Sequence, residues 1–160
     1  MAGSDSLLPV CILAGGRGTR LGERVRELPK PLLPVAGEPF LFHQLRLLSD
    51  HGADRIVLCV GYLGRQIEHA VGDGGAFGLR VSYSYDSPDL DGTAGAIRGA
   101  LDRLGDQFLV LYGDTYLRID YGAVQAALLA SELPALMTVL RNDGQWDTSN
   151  VVYADGRVVR

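Results

Sequence analysis

The chain predicts an α/β fold built on a doubly wound, mostly parallel sheet, and three observations carry that prediction. Short apolar runs of strand length alternate with longer segments whose apolar residues recur at helical spacing. The runs at 7–13 and 56–60 are apolar almost throughout, as strands covered on both faces are. The residues best suited to chemistry each follow one of these runs: a glycine-rich loop, a Gly-Thr pair and an aspartate. In parallel sheets, ligands bind outside the carboxyl ends of the strands.

The totals agree with a globular chain. At 160 residues it predicts one domain, 1–160, preceded by a short disordered lead-in at 1–6. Apolar residues at 47% and charged residues at 21% are ordinary values. A net charge of -4 argues against a nucleic-acid partner, which needs a basic face. The apolar runs are strand-sized, so no membrane span is expected, and the first residues lack a secretory core. Cys11 and Cys59 both lie in apolar runs and read as buried thiols of a cytoplasmic protein, not as a disulfide. The histidines His43, His51 and His69 lack metal-site spacing and read as surface or cap residues.

Residues 8–13 are expected as the first strand, followed by the loop Ala14-Gly15-Gly16-Arg17-Gly18-Thr19-Arg20. The charged segment 23–27 reads as a solvated flap. Pro29 and Pro31 bracket Lys30, and proline's fixed φ predicts a stiff extended strut there. A helix is expected over 39–51, stopped by Gly52, with Gln44 as a surface or packing residue on it. Strand 55–60, a helix over 64–71 and an alternating strand at 79–85 follow. A loop through Asp91 runs into a small-residue helix ending near Leu104. Strand 107–112, a helix over 121–131 and a strand over 135–140 come next. Two short strands, 149–153 and 157–160, are joined by the turn Asp155-Gly156.

The glycine loop after a strand suits a polyphosphate. Glycine lets backbone N–H groups approach closely, and arginine holds two phosphate oxygens at once. The spacing is neither the dinucleotide fingerprint nor a Walker A loop. Lys30 offers a point charge from between its prolines, and Asp114 ends a strand where a carboxylate can hold Mg2+ against phosphate oxygens. The other reading of Asp114 is a turn or N-cap aspartate.

The run Leu13–Leu21 with Pro29-Lys30-Pro31-Leu32-Leu33-Pro34-Val35-Ala36-Gly37-Glu38-Pro39 resembles the sugar-1-phosphate nucleotidylyltransferases. Gly92-Thr93-Ala94-Gly95-Ala96 and Leu111-Tyr112-Gly113-Asp114 fall where that family has its next motifs. The flavour is closest to the heptose-1-phosphate guanylyltransferase-like branch. The resemblance implies a Rossmann-like nucleotide-diphospho-sugar transferase fold. It implies transfer of a nucleotidyl group from a nucleoside triphosphate, such as GTP, to a sugar 1-phosphate with release of pyrophosphate. In these terms Leu13, Ala14, Gly15, Gly16, Arg17, Gly18, Thr19, Gly92 and Thr93 bind nucleotide. Arg20, Lys30 and Asp114 are catalytic, and Asp114 holds Mg2+. A side chain at Gly92 would be expected to clash with the nucleotide. Arg17 either assists or is solvated. Asp91 departs from the family's apolar residue and either meets a guanine edge or faces water. Trp146 packs a loop or covers a sugar, and Asn150 reaches a sugar hydroxyl on the same reading.

The family continues past a strand like 157–160, to a sugar-phosphate lysine and a second metal aspartate for which this chain has no counterpart. Three readings stay open: a fragment of a full enzyme, a short protein that binds nucleotide without turnover, or a site completed by a second subunit. The edge strands at 149–160 leave room for a homo-oligomer.

Overall fold

The computed structural model describes residues 6–87, 92–145, 148 and 151–159, without the side chains of Arg20 and Arg24. The chain divides into two compact units, Met1–Gln125 and Ala126–Arg160.

The first unit is built on a parallel sheet. Its strands are β1 (Val10–Leu13), β4 (Arg55–Val60), β5 (Arg80–Tyr85) and β6 (Leu109–Tyr112), in the order β5-β4-β1-β6. The register places Val10 beside Ile56 and Leu109, and Leu13 beside Cys59 and Tyr112. Between β1 and β4 run a short hairpin, β2 (Pro34–Val35) with β3 (Glu38–Pro39), and α1 (Phe40–Asp50). The helix α2 (Gly64–Val71) joins β4 to β5, and α3 (Gly92–Leu104) precedes β6. Because side chains alternate along a strand, each sheet face takes its own helices. Val10, Ile12, Ile56, Leu58 and Val60 pack with Leu41, Leu45 and Leu48 of α1 and Ile67 of α2. Cys11, Val57 and Cys59 face the other way, onto Ala100 and Leu104 of α3. This is the doubly wound parallel arrangement the sequence predicts.

The end of α1 shows why the chain turns where it does. Gly52 takes a φ of +83°, the Ala53 N–H donates to Leu48 O at 3.0 Å, and the Gly52 N–H donates to Ser49 O at 2.9 Å. That pair of bonds is a Schellman motif, closed further by His51 Nδ1 donating to Leu47 O at 2.8 Å. The helix α4 (Tyr121–Ser131) begins on a buried Tyr121, whose hydroxyl donates to Leu117 O at 2.7 Å. Farther along it, Gln125 Oε1 accepts the Leu8 N–H at 2.6 Å.

Three local expectations are corrected. Lys30 does not sit on a fully extended strut: Pro29 is extended, but Lys30–Leu32 closes a 3-10 turn through Leu32 N–H to Pro29 O, 2.8 Å, and Leu33 N–H to Lys30 O, 3.1 Å. Proline is tolerated in the first positions of a helical turn, where its missing N–H has no bond to lose. The segment 23–27 has Glu23, Arg26 and Glu27 exposed, as expected, but it is not a loose flap. Part of it lies in a 3-10 helix, Thr19–Val25, with Val25 buried. The stretch is tied down by Tyr62 donating to Arg26 O at 2.8 Å and Gln66 donating to Glu27 O at 3.0 Å. Both donors belong to the chain at and just before α2, which the charge pattern of 23–27 does not reveal.

The third correction falls in the second unit. The strand expected over 135–140 is not formed, and Leu136, Met137, Val139 and Leu140 are exposed. Strand backbone requires a ladder partner, and this segment has none among the described residues. The unit's strands are β7 (Tyr153–Ala154) and β8 (Arg157–Val158), antiparallel and shorter than expected. Their turn, Asp155 and Gly156 with φ of 49° and 78°, has the positive dihedrals of a tight hairpin.

Candidate nucleotide site

At the carboxyl end of the sheet lies an open cleft of about 620 Å³. The loop after β1 supplies Leu13, Ala14, Gly15, Gly16, Arg17 and Gly18 to its wall. Gly92 and Thr93 reach it from the start of α3, and Lys30 and Asp114 also line it. Thr19 does not line it; that residue opens the adjoining 3-10 helix. The Arg20 backbone lies in the same helix, while its side chain is outside the described residues, as are Asp91, Trp146 and Asn150.

The β1 loop is shaped by its neighbours. The Ala14 N–H donates to Cys59 O at 2.8 Å, and the Gly113 N–H donates to Leu13 O at 2.9 Å. These two bonds carry the sheet pairing one residue past the strand on each side. The N–H groups of Gly16, Arg17 and Gly18 have no bonded partner among the described residues. A Cβ at Gly16 would meet nothing within 4 Å. Unpaired N–H groups on an open loop form the concavity that takes an anion. Gly113 is required for a different reason: its Cβ would stand 2.9 Å from Leu13 O. At Gly92 a Cβ would meet nothing within 4 Å among the described residues, and the φ of +69° is what favours glycine there.

Lys30 and Asp114 meet each other. Lys30 Nζ lies 2.5 Å from Asp114 Oδ2, with both side chains partly exposed. The turn that carries Asp114, Tyr112-Gly113-Asp114-Thr115, is closed by the Thr115 N–H donating to Tyr112 O at 3.2 Å. A cation and an anion thus stand ready on one wall of the cleft, each available to a ligand that offers the opposite charge.

The structure adds residues the sequence reading missed. Asp86 lines the cleft just past β5, its N–H donating to Val60 O at 2.9 Å. Its carboxylate packs on backbone: a Cβ at Gly15 would be 2.6 Å from Asp86 Oδ2, so Gly15 makes room for that side chain. Cys59 lies in the wall behind it, and its Sγ is 3.5 Å from Cys11 Sγ without a disulfide. The neighbouring Cys59 sulfur and burial hold the Cys11 thiol protonated, far above its usual range. Gln44, expected on the surface or in helix packing, is fully buried on α1 and donates to Tyr112 O and Thr115 O, both at 2.9 Å. One signal was present in the sequence: Gln44 shares helical spacing with Leu41, Leu45 and Leu48, on the face that packs inward.

Known proteins resemble this chain over the same frame. An N-acetylmuramate alpha-1-phosphate uridylyltransferase of Neisseria meningitidis serogroup B is 46% identical over 124 residues, covering 77% of this chain and 53% of that protein. A D-glycero-alpha-D-manno-heptose 1-phosphate guanylyltransferase of Campylobacter jejuni is 31% identical, over 90% of this chain and 63% of that protein. Among solved structures, HddC from Yersinia pseudotuberculosis complexed with GMP-PN superposes with a TM-score of 0.67 at 35% identity, covering 76% of this chain and 55% of that one. The chain spans 53% and 36% of the length of the first two curated relatives it matches. With a family model matching residues 10–157, and with the loop, the sheet edge and the cleft all inside that span, the chain belongs to the MobA-like NTP transferase domain family.

Proposed function

We propose that this chain is the nucleotide-holding part of a sugar-1-phosphate nucleotidylyltransferase. The observation that carries the reading is the cleft itself, which gathers the β1 loop, with N–H groups that have no bonded partner among the described residues, and the Lys30–Asp114 pair. An oxygen of the sugar phosphate attacks the α-phosphorus of a nucleoside triphosphate. The bond from that phosphorus to the bridging oxygen breaks, and pyrophosphate leaves. Little covalent work falls to the protein, so its tasks are alignment and neutralisation of charge. The N–H groups of Gly16, Arg17 and Gly18 cradle the triphosphate. Lys30 leaves Asp114 for the phosphates, and Arg20 steadies charge on the leaving pyrophosphate. Leu13–Gly15 and Gly92-Thr93 bound the base and ribose, with Asp86 among the groups near them.

Mg2+ fits Asp114 as part of a site shared with substrate. Among the described residues no cluster of three or more His, Cys, Asp or Glu could hold a metal unaided. One carboxylate completed by phosphate oxygens and water is the donor set Mg2+ takes. When bound, the ion draws charge from the phosphate oxygens. On this reading the protein works in the cytoplasm, where its proposed substrates are; no helix among the described residues is long and apolar enough to cross a membrane.

The test is pyrophosphate release from UTP, GTP, dTTP, CTP and ATP against hexose, heptose and N-acetylmuramate 1-phosphates. Turnover with one pairing, abolished by Arg20→Ala, is the expected result. Mg2+-dependent triphosphate binding with no turnover on any acceptor would favour the second reading, a binding module. No triphosphate binding at all would end both.

A further inference from the structure

We infer that Gln44 is a positioning residue that sets where Asp114 points; this rests on the reading of Asp114 as a ligand of Mg2+-triphosphate. Gln44 is fully buried on α1 and 70 positions before the aspartate in sequence. Its Nε2 carries two protons and spends both: one on Tyr112 O and one on Thr115 O, each at 2.9 Å. Those carbonyls are the first and last of the four-residue turn whose third residue is Asp114. The amide orientation is fixed by chemistry, because turning the side chain over would set its oxygen against two carbonyl oxygens.

The cost of the arrangement shows that the donors matter. Gln44 Oε1 is buried and has no hydrogen-bond partner among the described residues. An apolar residue would remove that orphan, but would strip Thr115 O of its partner and leave Tyr112 O with the Thr115 N–H alone. The same helix governs the other half of the ion pair. The Phe40 N–H, at the start of α1, donates to Leu33 O at 3.0 Å, and the Leu33 N–H donates to Lys30 O at 3.1 Å. Phe40 also meets Tyr116 edge-on, with ring centroids 6.5 Å apart. One helix therefore ties down the Lys30 turn from its first residue and the Asp114 turn from its fifth. The separation of Lys30 and Asp114 is set by α1, and Gln44 is its direct hold on the aspartate's side.

The experiment compares the wild-type chain with Gln44→Met, which keeps the side chain's length and removes both donors. Hydrogen exchange at the Thr115 amide should quicken at least tenfold, while Val57 and Leu58 in β4 stay as slow as in the wild type. Calorimetry with UTP and GTP, in Mg2+ and in EDTA, should show the Mg2+ enhancement of affinity reduced about tenfold and metal-free binding unchanged. Unchanged exchange at Thr115, or equal quickening in β4, overturns the inference. So does quickened exchange with the full Mg2+ enhancement retained. If the wild type itself shows no Mg2+ enhancement, the metal reading of Asp114 fails, and Thr115 exchange alone decides whether Gln44 holds the turn. Should Gln44→Met not fold, Gln44→Glu is read the same way, being of equal size with at most one donor proton.

Discussion

Two six-residue stretches of this chain, Arg55–Val60 and 135–140, are nearly alike in composition and opposite in fate. The first, Arg-Ile-Val-Leu-Cys-Val, is strand β4, with β1 on one side and β5 on the other, and all but its arginine are buried. The second, Ala-Leu-Met-Thr-Val-Leu, forms no strand, and each of its residues is exposed. Apolar content is common to both, so it does not decide the outcome. What separates them is a ladder: β4 satisfies its backbone on both edges, and the later stretch has no such partner among the described residues. Within the first unit, β6 shows an intermediate case. Leu109 and Leu111 are buried against the α1 side, while Val110 and Tyr112 are 43% and 56% exposed on the other. The helix α3 covers β1 and β4 on that face, and β6 is left open there.

The largest effect that could break this contrast is expected in β4. Leu58→Ala should cost about 3 kcal/mol, within the range for a fully buried leucine, by urea unfolding. A cost near zero would mean that β4 is no better held than 135–140. Next is Asp114→Ala, which should weaken Mg2+-dependent triphosphate binding by roughly 100-fold, about 2.7 kcal/mol by calorimetry, comparable to loss of one preorganised electrostatic contact. Its effect on stability should stay within about 0.5 kcal/mol, since its ion pair with Lys30 is partly exposed. A large stability loss would make Asp114 part of the frame and not of the cleft. Leu140→Ser, at a position 78% exposed, should change stability by less than about 0.5 kcal/mol; a larger loss would show burial in solution.

The smallest effect concerns acid. Arg80, at the start of β5, pairs with Asp54, its Nε lying 3.0 Å from Asp54 Oδ1. The hydrogen bond from Arg80 holds the Asp54 carboxyl below its ordinary range. The folded chain therefore gives up that proton more readily than the unfolded chain. The resulting stabilisation is present above the ordinary aspartate range and is lost as pH falls through the lowered value. Arg80→Ala should narrow the gap between thermal midpoints at neutral and acid pH slightly; a wider gap would reverse the sign.

Much of the first unit was legible because its pattern is local. The spacing of Leu41, Leu45 and Leu48 and the stop at Gly52 define α1, and the run after Arg55 defines β4. The glycine loop, Gly92-Thr93 and Asp114 were legible as residues placed after strands and Lys30 as a cation between prolines, and all of them line the one cleft. Asp86 was not, because only the parallel pairing of β5 with β4 carries it beneath Gly15 and Gly61. For Gln44 the packing alternative holds and the surface one does not; its partners, main-chain carbonyls about 70 residues away, were not legible from the helix alone. The expected strand at 135–140 failed for the same kind of reason. A segment's own residues do not encode whether another strand lies alongside.

The contact between Lys30 and Asp114 has a thermodynamic consequence. While the two are joined, each is the other's counter-ion. A triphosphate that draws Lys30 away frees the carboxylate for a cation, and a cation on Asp114 frees the ammonium for phosphate. On the proposed reading, each ligand removes the cost of breaking the pair for the other, so metal and nucleotide must bind with positive coupling, by an equal factor whichever arrives first.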